Sequence, residues 1–553
     1  MIYIQAVPPP SSQPRSPPLP PEIKPPIKKA ITVATIMSGL IPFSDTEEKR
    51  RINEKRTLVA STITIIASKP DPILENACLD LIFLPLKRDS LYILFDYGGI
   101  RSLFMNSDSP SYDVRNGTGK GQYGLDIIIA LTIFVLAYIG IITEKINRAI
   151  VACGGGLLML LAGITTTDSA FMNHVDWNTI ALLFSMMILV SITSQNGLFE
   201  YIAIKLAQQV QGKPLPLLAV IGTLTAVGSA LLDNVTTVLL LVPITLTLTK
   251  ILNITSMPFL VTVILSSNIG GTATLIGDPP NIMIGQAVDH LDFNDFIYNL
   301  APIVVVIYAV IITGLLFFYR KGLIVNDSYR QSLLKIDASQ YLKKGPLLYK
   351  SSAVLLMTIT GFLLHPVLHT ELTNIAMAGA VLLLLITQKE HKVEEVFESI
   401  EWVTLFFFMG LFILIGGLEE VGIIDEVART ILLYTEGDLP KTSLIILWGA
   451  GILSAFLDNI PFVAAMIPVI SEFSGYGMTN LDPLWWSLAL GSCLGGNGTL
   501  IGASANVVVA GLALKDNQEV RFIAFLKIGL PVVFISLVIS TVYIYFRYLL
   551  PYY

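Results

Sequence analysis

Charge is what this chain has least of. Only 14% of its 553 residues are Asp, Glu, Lys or Arg, against 53% hydrophobic, and the mean hydropathy is +0.70. A water-soluble protein of this length carries far more surface charge, so a soluble fold is excluded and a membrane protein remains. Cysteine is scarce as well. Cys78, Cys153 and Cys493 match no zinc or redox spacing, and two of them lie in apolar runs where small thiols pack. No basic excess exists: 35 Lys and Arg face 41 Asp and Glu, a net charge of −6. That balance offers no face for nucleic acid. His-Glu-x-x-His, Gly-x-Ser-x-Gly and a Walker lysine are all missing, which argues against hydrolase and nucleotide chemistry. Gly277-Asp278 resembles half of the Gly-x-Gly-Asp pattern of intramembrane aspartyl proteases, but Leu275 stands at the first glycine position. The chain is therefore not read as an enzyme.

What is present falls into segments. Residues 1–29 are proline-rich and cannot bury a core, so they read as a disordered or polyproline II tail rather than an SH3 ligand. The apolar run 30–43 follows Lys24, Lys28 and Lys29 but is shorter than the ~20 residues that span a bilayer. Residues 30–123 read as an extramembrane, partly β region on the luminal or extracellular side, with the glycosylation sequon Asn116-Gly117-Thr118. Apolar runs then recur at 125–143, 149–165, 179–192, 215–234, 235–252, 259–286 and 301–319. After a charged stretch they resume at 351–368, 374–387, 403–418, 443–459, 460–473, 485–513 and 528–549. The expected fold is all-α and polytopic: a first transporter repeat at 124–322, a cytosolic linker at 323–348 and a second repeat at 349–553.

The repeat rests on polar landmarks. Trp177 and Trp402, Asp233 and Asp458, Pro243 and Pro468, and Asn281 and Asn506 are each 225 positions apart. An ungapped register at polar positions means one ancestral unit used twice, because apolar low complexity would match anywhere. The turn 144–148 carries Lys145 and Arg148, whereas its counterpart 369–373 carries no cation. Cytosolic loops favour Lys and Arg, so equivalent turns face opposite sides and the repeat is inverted.

Two kinds of segment carry the chemistry. Asp233-Asn234 and Asp458-Asn459 interrupt long apolar stretches, with Thr236 and Thr237 after the first pair. Carboxylates at such depth cost a few kcal/mol and are normally functional or paired. Helix propensity breaks there, as at the tip of a re-entrant hairpin. The second kind is glycine-rich: Gly270-Gly271-Thr272-Ala273-Thr274, running on to Asp278-Pro279-Pro280-Asn281, and Gly495-Gly496-Asn497-Gly498-Thr499, running on to Ser504-Ala505-Asn506. Neither can continue as a straight helix. An unwound stretch supplies oxygens for a cation, and its helix N-termini attract an anion. The ligand candidates are Asn268, Thr272, Thr274 and Asn281 with Asn497, Thr499, Ser504 and Asn506. Asp278 stands where the second half has Ala503, so only the first break carries an acid and coupling should be asymmetric. Asp233, Asp278 and Asp458 are the candidates for proton or Na⁺ handling. No cofactor or metal beyond such a coupling ion is implied.

The stretches 176–184, 232–237, 268–281 and 493–507 closely resemble the P-protein branch of the ion transporter superfamily. Arsenite permeases, Na⁺/H⁺ antiporters, citrate-transporter-like proteins and sodium-coupled dicarboxylate carriers are relatives. The resemblance implies inverted repeats, a re-entrant hairpin in each half, discontinuous helices, a homodimer and elevator-like movement. It places Asp233-Asn234 and Asp458-Asn459 at the hairpin tips, where the dicarboxylate carriers have Ser-Asn-Thr. Aspartate at the serine position departs from that pattern and favours proton coupling, or an anion or Na⁺/H⁺ function. The N-terminal region also departs from it, lacking a clear first membrane helix, as a truncated or mispredicted first exon would explain. The implied function is secondary transport of a small inorganic or organic ion, such as anion transport in organellar pH control, coupled to H⁺ or Na⁺. The implied location is a melanosome- or endosome-like organelle or the plasma membrane. Arsenite or Na⁺/H⁺ export by the same fold is the alternative.

Overall fold

The computed structural model describes residues 82–83, 93–97, 100–103 and 119–552, without 144, 344 and 391. The proline-rich tail, the run 30–43 and Asn116 lie outside the described residues. The chain divides into two units, Met1–Gly119 and Lys120–Tyr553. In the first, strands β1 (Ile82–Phe83), β2 (Ile93–Tyr97) and β3 (Ile100–Leu103) pair antiparallel in that order.

The second unit is helical, as lipid requires: no water in the bilayer core satisfies a free backbone group. Its first half comprises α1 (Gly119–Thr143), α2 (Arg148–Leu161), α3 (Trp177–Ser194), α4 (Leu198–Gln209), α5 (Pro214–Leu231), α6 (Asn234–Ile251), α7 (Met257–Gly271), α8 (Pro279–Ala287) and α9 (Phe293–Tyr319). The linker holds α10 (Asp327–Leu334). The second half comprises α11 (Pro346–Leu368), α12 (Leu372–Thr387), α13 (Val393–Glu398), α14 (Trp402–Glu420), α15 (Ile423–Thr435), α16 (Leu439–Phe456), α17 (Asn459–Glu472), α18 (Asp482–Gly495), α19 (Ser504–Lys515) and α20 (Phe522–Ile544). Among the described residues nine helices are long and apolar enough to cross a membrane. The starts of α14, α16, α17, α18 and α19 each fall 225 residues after those of α3, α5, α6, α7 and α8. The runs 259–286 and 485–513 are each split into two helices, interrupted at 272–278 and 496–503.

Burial sorts the helices into layers. In α7 every residue from Pro258 to Gly271 is buried, and in α18 every residue from Pro483 to Gly495. A helix buried all round belongs at the centre. Helices α1, α9, α11 and α20 instead expose Leu136, Phe317, Val367 and Phe534 outward, where lipid tails take the place of water.

Contacts between the halves are reciprocal. Helix α2 packs on α14 and α12 on α3; α8 packs on α17 and α19 on α6. Such exchange marks an isologous, two-fold relation. Loop contacts fix its direction. The linker lies against the ends of α4 and α6, where Gln208 donates to Ile336 O at 2.6 Å and Arg330 to Gln211 O at 3.0 Å. Helix α7 therefore begins on the linker face. The 27-residue α9 returns the chain to that face, so it begins on the opposite one, ~40 Å away. There His290, just before α9, meets Asp482 at the start of α18 at 2.7 Å. On the linker face Lys250, at the end of α6, pairs with Asp516, at the end of α19. Helices α7 and α18 thus start from opposite faces, and the halves are inverted.

This topology has a direct check. Ser332→Cys in the linker and Asn480→Cys beside α18, each in a background free of other reactive thiols, should react with an impermeant maleimide from opposite sides of sealed vesicles. Labelling of both from one side would refute the inversion.

Candidate functional site

The site lies where two hairpin tips and two helix breaks converge. Helices α5 and α6 fold back at Leu232-Asp233. Asp233 caps α6, accepting from the Thr236 amide at 2.7 Å and from its hydroxyl at 2.5 Å. Helices α16 and α17 fold back at Leu457-Asp458, where Asp458 accepts from the Ile460 amide at 3.2 Å. A side-chain acceptor at a helix start satisfies one of its orphan amides, so the local fold requires the same aspartates that bring charge.

The breaks are held by side-chain amides. Asn281 Nδ2 donates to Thr272 O at 3.2 Å and Thr274 O at 2.9 Å; Asn506 Nδ2 donates to Gly496 O at 2.7 Å and Thr499 O at 2.9 Å. Thr274 Oγ1 donates to Ala230 O at 2.6 Å, tying the first break to its hairpin, and Thr272 Oγ1 donates to Asn268 O at 2.7 Å. The donors of these four residues are therefore committed to backbone, and only their oxygens remain for a ligand. Close approach explains the glycines: a Cβ on Gly270 would stand 2.1 Å from Ala226 O, and one on Gly271 2.4 Å from Gly277 O.

Buried amides join the halves. Asn268 Nδ2 donates to Asn497 Oδ1 at 3.1 Å and Asn506 Oδ1 at 2.9 Å, and Asn234 Nδ2 donates to Asn268 Oδ1 at 3.3 Å. Cys493, which occupies the repeat position of Asn268, donates to Asn281 Oδ1 at 3.5 Å. Asn459 Nδ2 sits 3.3 Å from both oxygens of the fully buried Asp278. Among the described residues, the buried polar atoms without a hydrogen-bond partner include three on the tip and break segments: Asn234 Oδ1, Thr237 Oγ1 and Asn497 Nδ2. Such atoms are rare and call for a ligand or water.

Asp278 lies within Coulombic reach of Asp233 and Asp458. Glu401, the residue before α14, lies within reach of Asp233 and Arg148. Arg148 Nη1 pairs with Asp458 Oδ2 at 2.8 Å. The hydrogen bonds thus join Asn234, Asn268, Asn497 and Asn506 in one group, Asp278 with Asn459 in a second, and Asp458 with Ser504 and Arg148 in a third; Asp278 lies within Coulombic reach of both tip aspartates. Arg148 is a correction to the loop reading. It is the first residue of α2 and points inward, because a partner in the other half compensates its charge. Neither it nor Glu401 stands out in the sequence, where one reads as a boundary cation and the other as a helix-start acid.

A family model described as citrate transporter matches residues 138–491, a range that takes in Asp233, Asp278 and Asp458. A 46 kDa membrane protein of Mycobacterium leprae is 38% identical over 427 residues, covering 76% of this chain and 99% of that protein. An uncharacterized transporter of Mycobacterium tuberculosis is 38% identical over 426 residues, covering 76% and 98%. The human P protein is 31% identical over 551 residues, covering 85% of this chain, which spans 65% of that protein. Among solved structures, the YdaH transporter of Alcanivorax borkumensis superposes with a TM-score of 0.47 at 13% identity, over 76% of this chain and 97% of that one.

If Asn281 and Asn506 staple the breaks, Asn281→Ala or Asn506→Ala should each lower stability by about 1–3 kcal/mol per orphaned carbonyl, read as a lower Tm in detergent. An unchanged Tm in both variants would contradict that role.

Proposed function

The chain belongs to the citrate transporter family and is an integral multi-pass membrane transporter; from that premise we propose that it moves a small ion by secondary transport coupled to H⁺ or Na⁺. The observation that carries the reading is the charge balance at the centre. Helices α6, α8, α17 and α19 begin at Asn234, Pro279, Asn459 and Ser504, each next to or bonded to one of Asp233, Asp278 and Asp458, and each N-terminus is equivalent to about half a positive charge. With Arg148 they supply roughly three positive charges against the four carboxylates Asp233, Asp278, Asp458 and Glu401, leaving about one negative charge. A carboxylate left uncompensated at this depth is costly, and one monovalent cation removes the excess.

Asp233 and Asp278, within Coulombic reach of each other, and the unpartnered Asn234 Oδ1 and Thr237 Oγ1 on α6 offer hard oxygens suited to that cation. Asn497 Nδ2, next to the start of α19, is a free donor suited to a small anion. The reading is accordingly transport of a small anion with a coupling cation, of the kind used in organellar pH control. Aspartates at both tips repel a polyanion, which makes citrate itself a poor cargo for this site. The carboxylate surplus also favours a second reading, Na⁺/H⁺ exchange or arsenite export by the same site. We extend the proposal to a homodimer in an organellar or plasma membrane, with exposed apolar faces such as that of α11 available for a second copy; the mass of the purified complex checks this.

Proteoliposomes with imposed pH and Na⁺ gradients, screened with chloride, arsenite and dicarboxylates, test the function. Asp233→Asn and Asp278→Asn should each cut coupled flux by about 10- to 100-fold, as loss of one charge-assisted contact worth about 1.5–3 kcal/mol implies. Wild-type flux in both would refute the cation site.

A further inference from the structure

The two hairpin tips are equivalent in sequence and unlike in partner. Asp233 turns back on Thr236, and among the described residues no cation pairs with it. Asp458 is gripped from outside its hairpin. Arg148 donates to Asp458 Oδ2 at 2.8 Å, and Ser504 Oγ donates to the same oxygen at 2.8 Å. Arg148 also donates to Ser504 Oγ and, at 3.5 Å, to Thr404 Oγ1, with its guanidinium 5.0 Å from the centre of the Phe407 ring. It belongs to α2, which packs on α14, whereas Asp458 belongs to the α16–α17 hairpin. The repeat counterpart of Arg148 is Thr373, whose hydroxyl donates to Asn178 O at 3.2 Å. The first tip therefore has no such tether.

We propose that Arg148 is a tethered cation holding the coupling-ion position at the second tip, which the arriving H⁺ or Na⁺ must displace, thereby freeing the α16–α17 hairpin from α2. The inference rests on the cation-coupled reading of the site. Its physical basis is the cost of separating a partly buried charged pair, the two side chains being 26% and 11% exposed: removing one partner leaves the other uncompensated. An empty tip cannot leave α2 cheaply, whereas a tip whose carboxylate is protonated or bound to Na⁺ can. Arg148 has a second carboxylate nearby: Thr404 Oγ1, to which it donates at 3.5 Å, donates in turn at 3.2 Å to Glu401 Oε2, just before α14. The groups facing the tip from the surrounding elements are Arg148 on α2, Glu401 before α14, Asp278 before α8, Asp233 on the other tip, Ser504 on α19 and Tyr138 on α1, whose hydroxyl donates to Pro461 O at 2.7 Å. Arg148 is the one cation in that set. The pair thus opposes hairpin movement without a bound cation, and so opposes uncoupled cycling.

Hydrogen–deuterium exchange of the tip peptide, residues 456–462, in the purified full-length protein tests the tether, with Na⁺ titrated at alkaline pH and pH lowered without Na⁺. In the wild type the tip should exchange slowly without cation and about tenfold faster with Na⁺ or acid. Arg148→Gln should exchange fast from the outset and respond no further, Arg148→Lys should keep the response, and Asp458→Asn should behave like Arg148→Gln. The double variant should be no faster than either single one, since both remove one interaction. If Arg148→Gln loosens the whole protein, seen as faster exchange in α9 and α20, Asp458→Asn decides. A tip that exchanges as in the wild type in that deciding variant, or a wild-type tip indifferent to Na⁺ and acid, overturns the tether. Flux through Asp233→Asn separates the two levels. If that variant is inactive while Arg148→Gln matches the wild type, only the tether falls; if it transports normally, the cation site falls with it.

Discussion

A broken helix inside a bilayer must find a partner for every carbonyl and amide it frees, and this requirement shapes the whole centre of the protein. Water is not there to supply the partners. Two asparagines do so: Asn281 and Asn506 each reach back to close two carbonyls of their own break. Once those carbonyls are closed, the remaining polar atoms can be aimed at a ligand. The same economy appears at the hairpin tips, where Asp233 and Asp458 cap the helices they begin and still present a carboxylate to the interior.

Inversion turns this local solution into a shared site. Because α7 and α18 start from opposite faces, their breaks meet in the middle, and amides from one half complete the other. Asn268 to Asn506 and Cys493 to Asn281 are the same contact seen from the two sides of the pseudo-axis. That symmetry fails at three positions. Asp278 faces the position of Ala503, Cys493 replaces an asparagine, and Arg148 replaces a threonine. Each difference changes charge or donor count at the centre, so two equivalent hairpins have unequal partners.

Much of this was legible in the sequence. The 225-residue register of Trp177, Asp233 and Asn281 with Trp402, Asp458 and Asn506 located both tips and both breaks, because Gly, Pro and Asp inside an apolar run mark a point where a membrane helix has to stop or turn. The direction of the repeat was legible from Lys145 and the linker cations. The partners were not. Arg148 and Asp458 are separated by 310 positions, and nothing local distinguishes a cation at a membrane boundary from one that bends inward to a carboxylate. Asn281 and Thr274 read as ligand candidates; that their hydrogens close backbone carbonyls, leaving just their oxygens to a ligand, depends on how the break is wound. Cys493 read as a packed thiol because its role comes from the residue it replaces in the repeat.

One quantity bears on the centre more directly than any other: the number of positive charges taken up per chain. It can be measured on purified protein as proton uptake, followed with a pH dye, plus bound ²²Na⁺. If carboxylates outweigh Arg148 and the helix ends, at least about one positive charge should be taken up per chain as Na⁺ or H⁺ becomes available, and a variant carrying both Asp233→Asn and Asp278→Asn should take up about one charge fewer than the wild type. No uptake by the wild type, or equal uptake by the variant, would contradict the site.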